Sequence, residues 1–199
     1  MKVRRHIVLT PSAIQLDGKN IEVRERGLAM LKAVYQDCIG GYPKFYKMDI
    51  LSKLGFVASE LLLHQEDDCQ SVSLDERQDV QGLDNGHEDR AVVIFGKSGS
   101  SYSDACFQHT IDRQGDYYPS PAAFVYTLPN ILTGEIAIRH HYYGETCYMA
   151  LPEKDTELMM RMAEQTLMDD ATTSVVCGWL DATDENHFEG ELWLIEQGC

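Results

Sequence analysis

Cysteine and histidine are the residue types here that could carry covalent or metal chemistry, and their spacing argues against both. The six cysteines are Cys38, Cys69, Cys106, Cys147, Cys177 and Cys199. They form no Cys-x-x-Cys pair and no Cys/His cluster at zinc spacing, so they read as scattered reduced thiols of a cytoplasmic protein. Cys147 falls inside an apolar, strand-like run with no positive field nearby, which is the setting of a small core thiol. Cys106 follows Asp104, and a neighbouring carboxylate raises a thiol pKa. His140 and His141 are adjacent at a helix end; consecutive helical residues do not face one another, so they are a poor metal pair. Lys97-Ser98-Gly99-Ser100 follows a strand but lacks Gly-x-x-x-x-Gly-Lys-Ser/Thr, so it reads as a tight turn between strand and helix. Glu153, with Asp155 and Glu157, reads as a carboxylate in the first turn of a helix, favourable against the dipole by about 0.3–1 kcal/mol. No cofactor and no metal are expected.

The elements that would position these residues follow from pattern. Val3–Thr10 is a strand stopped by Pro11, and Asp17-Gly18 within Ile14–Val23 signals a hairpin. Leu28–Cys38 reads as a helix ended by Gly40-Gly41. Asp49 caps a helix whose Leu51, Leu54, Val57 and Leu61 recur at helical spacing. Ala91–Gly96 is a continuous apolar run of strand length, and Ser103–Ile111 is helical. Ser120-Pro121 is an N-cap with a first-turn proline, and Pro129 opens a further helix bearing Ile131, Leu132 and Ile136. Gly134 in that helix is unfavourable on propensity, which predicts a close backbone approach. Glu145–Leu151 reads as a buried strand and Glu153–Asp169 as a helix. Ser174–Leu180 and Phe188–Ile195 are two last strands across a short polar turn. Helices between the first four strands predict a layered α/β domain with a mostly parallel sheet, the last strand returning antiparallel.

The chain of 199 residues is enough for one domain, read as spanning 1–199. Its basic start, MKVRRHIVLT, has too short an apolar run for a signal peptide, and no segment approaches a membrane span. A net charge of -15 excludes sequence-independent nucleic-acid binding and anionic membrane surfaces. Gln65–Arg90 holds nine Asp/Glu against Arg77 and Arg90, the composition of a solvated loop.

Three blocks carry a family resemblance. SPxxFVYTLPNxxxGEIAIRHxxxGE, from Ser120 to Glu145, resembles the middle of the N-terminal half of the β-ketoacyl synthases, of the thiolase superfamily. Tyr42–Leu63 resembles the family's Met-Asp segment and following helix, and Ala91–Asp104 its second strand and Gly/Ser-rich turn. Asn130, Gly134 and Gly144 match, while Glu145 stands where the family usually has proline. Within the family the chain is similar to the short synthase-like proteins of aryl polyene and flexirubin clusters. The resemblance implies half of a ketosynthase, with a five-stranded sheet of order 3-2-1-4-5 and Val3–Thr10 at its centre.

It also implies what chemistry should be present. The family's nucleophilic cysteine opens the helix after the third strand; counting from Gly144, that position is Glu153, and no cysteine lies in Leu151–Asp155. The catalytic histidines belong to a second half with no counterpart in these residues. The expectation is a catalytically silent ketosynthase-like subunit, chain-length-factor-like, pairing with a full-length ketosynthase, with an acyl carrier protein as a further expected partner. The alternative is a 3-oxoacyl synthase or related acyltransferase acting on acyl thioesters as a homodimer, and a fold that now binds a small ligand is a third reading. The family dimerises through its third strand, which places the expected interface on Glu145, Thr146, Cys147, Tyr148, Met149, Ala150 and Leu151. The helix bearing Leu132 and Ile136 is expected to flank it.

Overall fold

The computed structural model describes residues 1–64, 87–114 and 120–198. Most of the acidic stretch, residues 65–86, lies outside the described residues. Its end does not fit the solvated-loop reading, because Arg90 is 2 % exposed. Its guanidinium donates to Ser174 Oγ and to the Tyr142 hydroxyl, both at 2.8 Å.

A hairpin begins the chain. β1 (Lys2–Thr10) pairs antiparallel with β2 (Ala13–Leu16), and β2 with β3 (Lys19–Ile21). The β2–β3 turn is Asp17-Gly18, with φ of 51° and 78°, the positive pair that a two-residue turn matching strand twist requires. Helix α1 (Gly27–Val34) runs into a π-helical turn, Tyr35–Ile39, which ends at Gly40. Helix α2 (Ile50–Leu63) starts where the Asp49 carboxylate accepts from Ser52 N at 2.9 Å. All of α2 is buried, not only the apolar stripe. β4 (Ala91–Gly96), α3 (Ser101–Gln114), α4 (Pro121–Val125) and α5 (Ile131–His140) follow. β5 (Thr146–Ala150), α6 (Thr156–Thr166), β6 (Ser174–Ala182) and β7 (Phe188–Glu196) complete the order. No described helix is long and apolar enough to cross a membrane.

The sheet corrects the sequence expectation. Among the described residues it has seven strands, in the order β3-β2-β1-β7-β6-β4-β5. Only β4–β5 and β4–β6 are parallel, so the sheet is mixed. The last strand is antiparallel, as expected, to both β6 and β1. Val3–Thr10 is not the centre of the five expected strands; it lies outside β7 and carries the hairpin. The physical reason is coverage. β4 is apolar at every position but its final glycine and buried throughout, which suits a parallel strand covered on both faces. β1 carries Arg4, Arg5 and His6, which stay near water and pair with Glu196, Asp17 and Glu191.

Side chains alternate between two cores. Val92, Ile94, Val176, Leu180, Leu192 and Leu194 face α1, α2 and α5. Val93, Phe95, Val175, Cys177, Trp179 and Ile195 face α6 through Met159, Ala163 and Leu167.

Candidate functional site: a bare sheet edge and the helix beside it

β5 is an edge strand, β3 being the other edge, and it is partly exposed along its length rather than buried as its apolar run predicts. It pairs in register with β4, from Val92 opposite Thr146 to Gly96 opposite Ala150. Glu145 O accepts from Val92 N at 2.8 Å, and Leu151 N donates to Gly96 O at 2.9 Å. All seven residues from Glu145 to Leu151 therefore run along one edge, and among the described residues no strand pairs with its other side. Nothing in the strand blunts this edge: it has neither lysine nor internal proline, the devices that keep free edges from pairing. Tyr148 turns back into the α2 side of the sheet, where its hydroxyl rests against Gly96 and leaves no room for a Cβ there. Burial, with the charge of Asp181, raises its pKa. Cys147 is half-buried, and burial followed by Glu145 raises its thiol pKa.

Helix α5 lies over β4 and β5 with α2 along its inner flank. Leu132 and Ile136 are buried in this core, at 1 % and 0 % exposure, so they face inward and are not available to flank the strand's free edge. The outward face is Ile131, Gly134 and Ile138, with Ile138 61 % exposed. Gly134 has nothing within 4 Å of where a Cβ would stand, so the close approach predicted for it does not occur within the chain. It occurs at Gly144, where a Cβ would meet the backbone oxygens of Asp89 and Arg90. Phe124, Val125, Leu128 and Tyr143 add further exposed apolar surface around α5.

The position counted for a nucleophile is not on a helix. Glu153 is exposed in the bend before Asp155, and Asp155 is the N-cap of α6, its carboxylate accepting from Leu158 N at 2.9 Å. The helix expected from Glu153 thus begins three residues later. An aspartate that caps satisfies a helix-end N–H and holds the preceding residues extended, while Lys154 is drawn to Glu191 at 2.5 Å. The Lys97–Ser100 turn has its own anion: Asp181 accepts from Lys97 N at 3.0 Å and Ser98 N at 2.6 Å. His140 is buried while His141 is exposed, left-handed at φ 57°. Among the described residues no group of His, Cys, Asp and Glu is placed to hold a metal.

Pattern reasoning missed a buried polar cluster between α2 and α5. Arg139 donates two hydrogen bonds to the Glu60 carboxylate, at 2.9 and 3.1 Å. His140 Nε2 lies 3.1 Å from Glu60 Oε1, off the line of a well-aligned hydrogen bond. Burial pushes the Glu60 carboxyl up, but its contacts with His140 and Arg139 outweigh this and hold it below the usual carboxylate range. Glu135, one turn before Arg139, takes Lys44 at 2.7 Å and the Tyr42 hydroxyl at 3.2 Å. Polar residues four apart on an otherwise apolar helix were the available signal. The cluster locks α5 onto α2 and so fixes which face of α5 looks outward.

No family model matches the chain, and no curated protein matches it in sequence. Solved structures do. The ishigamide ketosynthase/chain length factor matches 98% of the chain with a TM-score of 0.67 at 18% identity, and the chain spans 62% of that protein's length. The ketosynthase (ApeO) in complex with its chain length factor (ApeC) from Xenorhabdus doucetiae matches 100% of it at TM-score 0.58 and 13% identity, over 79% of that chain. A β-ketoacyl synthase from Burkholderia phymatum STM815 matches 79% of it at TM-score 0.50 and 15% identity, over 44% of that chain. At these identities the likeness is one of fold: the chain has the α/β fold of ketosynthase-like proteins.

Proposed function

We propose that this chain is a catalytically silent, cytoplasmic ketosynthase-like subunit that pairs with a full-length β-ketoacyl synthase and acts as a chain-length factor does. The observation that carries the proposal is the bare β5 edge beside the outward face of α5. An unpaired row of N–H and C=O groups next to exposed apolar side chains is the surface that a second sheet edge completes. Gly134 gives a partner helix room to approach the α5 backbone. The silent reading is supported by Glu153, an exposed loop carboxylate where the resemblance calls for a cysteine at a helix start. A thiolate there would have the helix N-terminus to favour it, and Glu153 has neither thiol nor helix.

Light scattering on the chain alone and co-expressed with a full-length β-ketoacyl synthase tests the pairing. A 1:1 heterodimer that Tyr148→Pro or Ile138→Asp splits is the expected result. A stable homodimer would favour the thioester-enzyme alternative, and a monomer under both conditions would remove the proposal's mechanism. The isolated chain should extend no acyl group on a loaded acyl carrier protein.

A further inference from the structure

At the N-terminal end of α2 is a cavity of about 470 Å³, within the range of small-molecule sites. Met48, Ile50, Tyr102, Phe107 and Ala123 give it a mainly apolar wall, and Lys53 of α2 also lines it. Lys53 is 6 % exposed. Its ammonium donates to the Met48 carbonyl and lies 5.7 Å from the centroid of the Phe45 ring. That accounts for one of three N–H donors, and among the described residues no carboxylate reaches it as an ion pair. Asp49 is near, but its oxygens are taken by Ser52 N at 2.9 Å and the Ser103 hydroxyl at 2.7 Å. Burial is the main cause that lowers the Lys53 pKa from 10.5 to about 8. A buried cation without a counter-ion is costly, and an anion brought by a ligand relieves it.

We propose that this cavity binds a medium-chain apolar monocarboxylate, with its tail against α3 and α4 and its carboxylate on Lys53. Lys53 is the one buried ammonium of a lining that also holds the exposed Lys47 and Glu185 and the carboxylate of Asp49. It matches a monoanion, since a phosphate dianion would leave one charge buried and unpaired beside those carboxylates. The volume sets the length: at about 30 Å³ for each water-sized group, it holds roughly fifteen non-hydrogen atoms, a chain of about ten to twelve carbons. The proposal does not rest on pairing with a ketosynthase, because every group it uses belongs to this chain.

Calorimetric titration of the full chain with decanoate and with decan-1-ol, below their aggregation concentrations, tests it. Decanoate should bind saturably and at one equivalent, and Lys53→Met should weaken it roughly 10- to 100-fold, the value of a charged hydrogen bond. Decanol should bind more weakly and equally to both proteins, which also shows that the variant keeps its cavity. Ala123→Trp, which fills the cavity, should abolish both ligands. If Lys53→Met loses decanol as well, Lys53→Arg decides: restored decanoate binding supports the site, and none overturns it. Equal decanoate affinity in wild type and Lys53→Met, or no saturable binding to the wild type, also overturns it.

Discussion

The two ends of helix α2 hold buried charges in opposite states. Near its C-terminus Glu60 takes hydrogen bonds from Arg139 on both oxygens, with the His140 ring beside it, so a carboxylate without solvent has its cation in contact. Near its N-terminus, two turns earlier, Lys53 has a carbonyl and an aromatic face but, among the described residues, no carboxylate in ion-pair contact, Asp49 and Glu185 acting on it from farther away. Both side chains are almost fully buried, and α2 is the same kind of buried, apolar helix at each end. The difference is what the neighbouring elements bring. At one end α5 supplies the partners, and at the other α3 and α4 leave a cavity. A satisfied buried charge fixes the position of its neighbours, whereas an unsatisfied one invites a ligand.

The comparison can be broken most forcefully at its satisfied end. Arg139→Met leaves Glu60 buried with its hydrogen-bonding cation gone, and urea unfolding should show a loss of about 3–5 kcal/mol. Adding Glu60→Leu to that variant should recover most of the loss, because the uncompensated charge is then removed too. Lys53→Met is the opposite case. At pH 7 it should be neutral or stabilising, by at most on the order of 3 kcal/mol, since it removes a buried charge without stranding another.

The sign of the Lys53 effect can be followed with pH. Between about pH 8 and pH 10.5 the native Lys53 is neutral while the unfolded one is still charged. The unfolded state then binds more protons, so wild-type stability rises with pH over this window. The advantage of Lys53→Met should therefore shrink from pH 8 upward, with Asp49, Lys32 and Glu185 as the charges around the group. Glu60 runs the other way. Its folded pKa is depressed, so its contribution is present at neutral pH and fades as the pH falls below about 4.3 and on through the folded value. Comparing wild type with Glu60→Gln across pH 7 to 3 measures that loss. The smallest effect on the fold belongs to Ile138→Asp, within about 0.5 kcal/mol as an exposed change, although the same variant should abolish heterodimer formation.

Local signals were read correctly wherever a few consecutive residues decide the outcome. Asp49 caps α2, Ser120 caps α4, Asp17-Gly18 turns the hairpin, and the apolar runs at Ala91–Gly96 and Ser174–Leu180 lie in strands. Each rests on backbone geometry or hydrogen bonds closed within a turn or two, so composition alone determines it. The blocks at Tyr42–Leu63, Ala91–Asp104 and Ser120–Glu145 carried the family resemblance, and the fold likeness to ketosynthase-like structures agrees with it. Glu153 shows how narrow such evidence is: an equally good cap at Asp155 moved the helix start and took Glu153 off the helix.

Sheet order, by contrast, was decided only in three dimensions. β1 could pair with any strand of suitable length, and its place outside β7 follows from which strands must be covered on both faces. The same holds for the glycines. Helix propensity marks Gly134 and not Gly144, but packing brings the Asp89 and Arg90 backbone against Gly144 and, among the described residues, leaves Gly134 open. Lys53 and Glu60 lie in one helical pattern and differ in nothing that periodicity can register. Whether each meets a counter-charge depends on helices about 50 to 80 residues away in the chain, and long-range contacts of that kind are not encoded in local spacing.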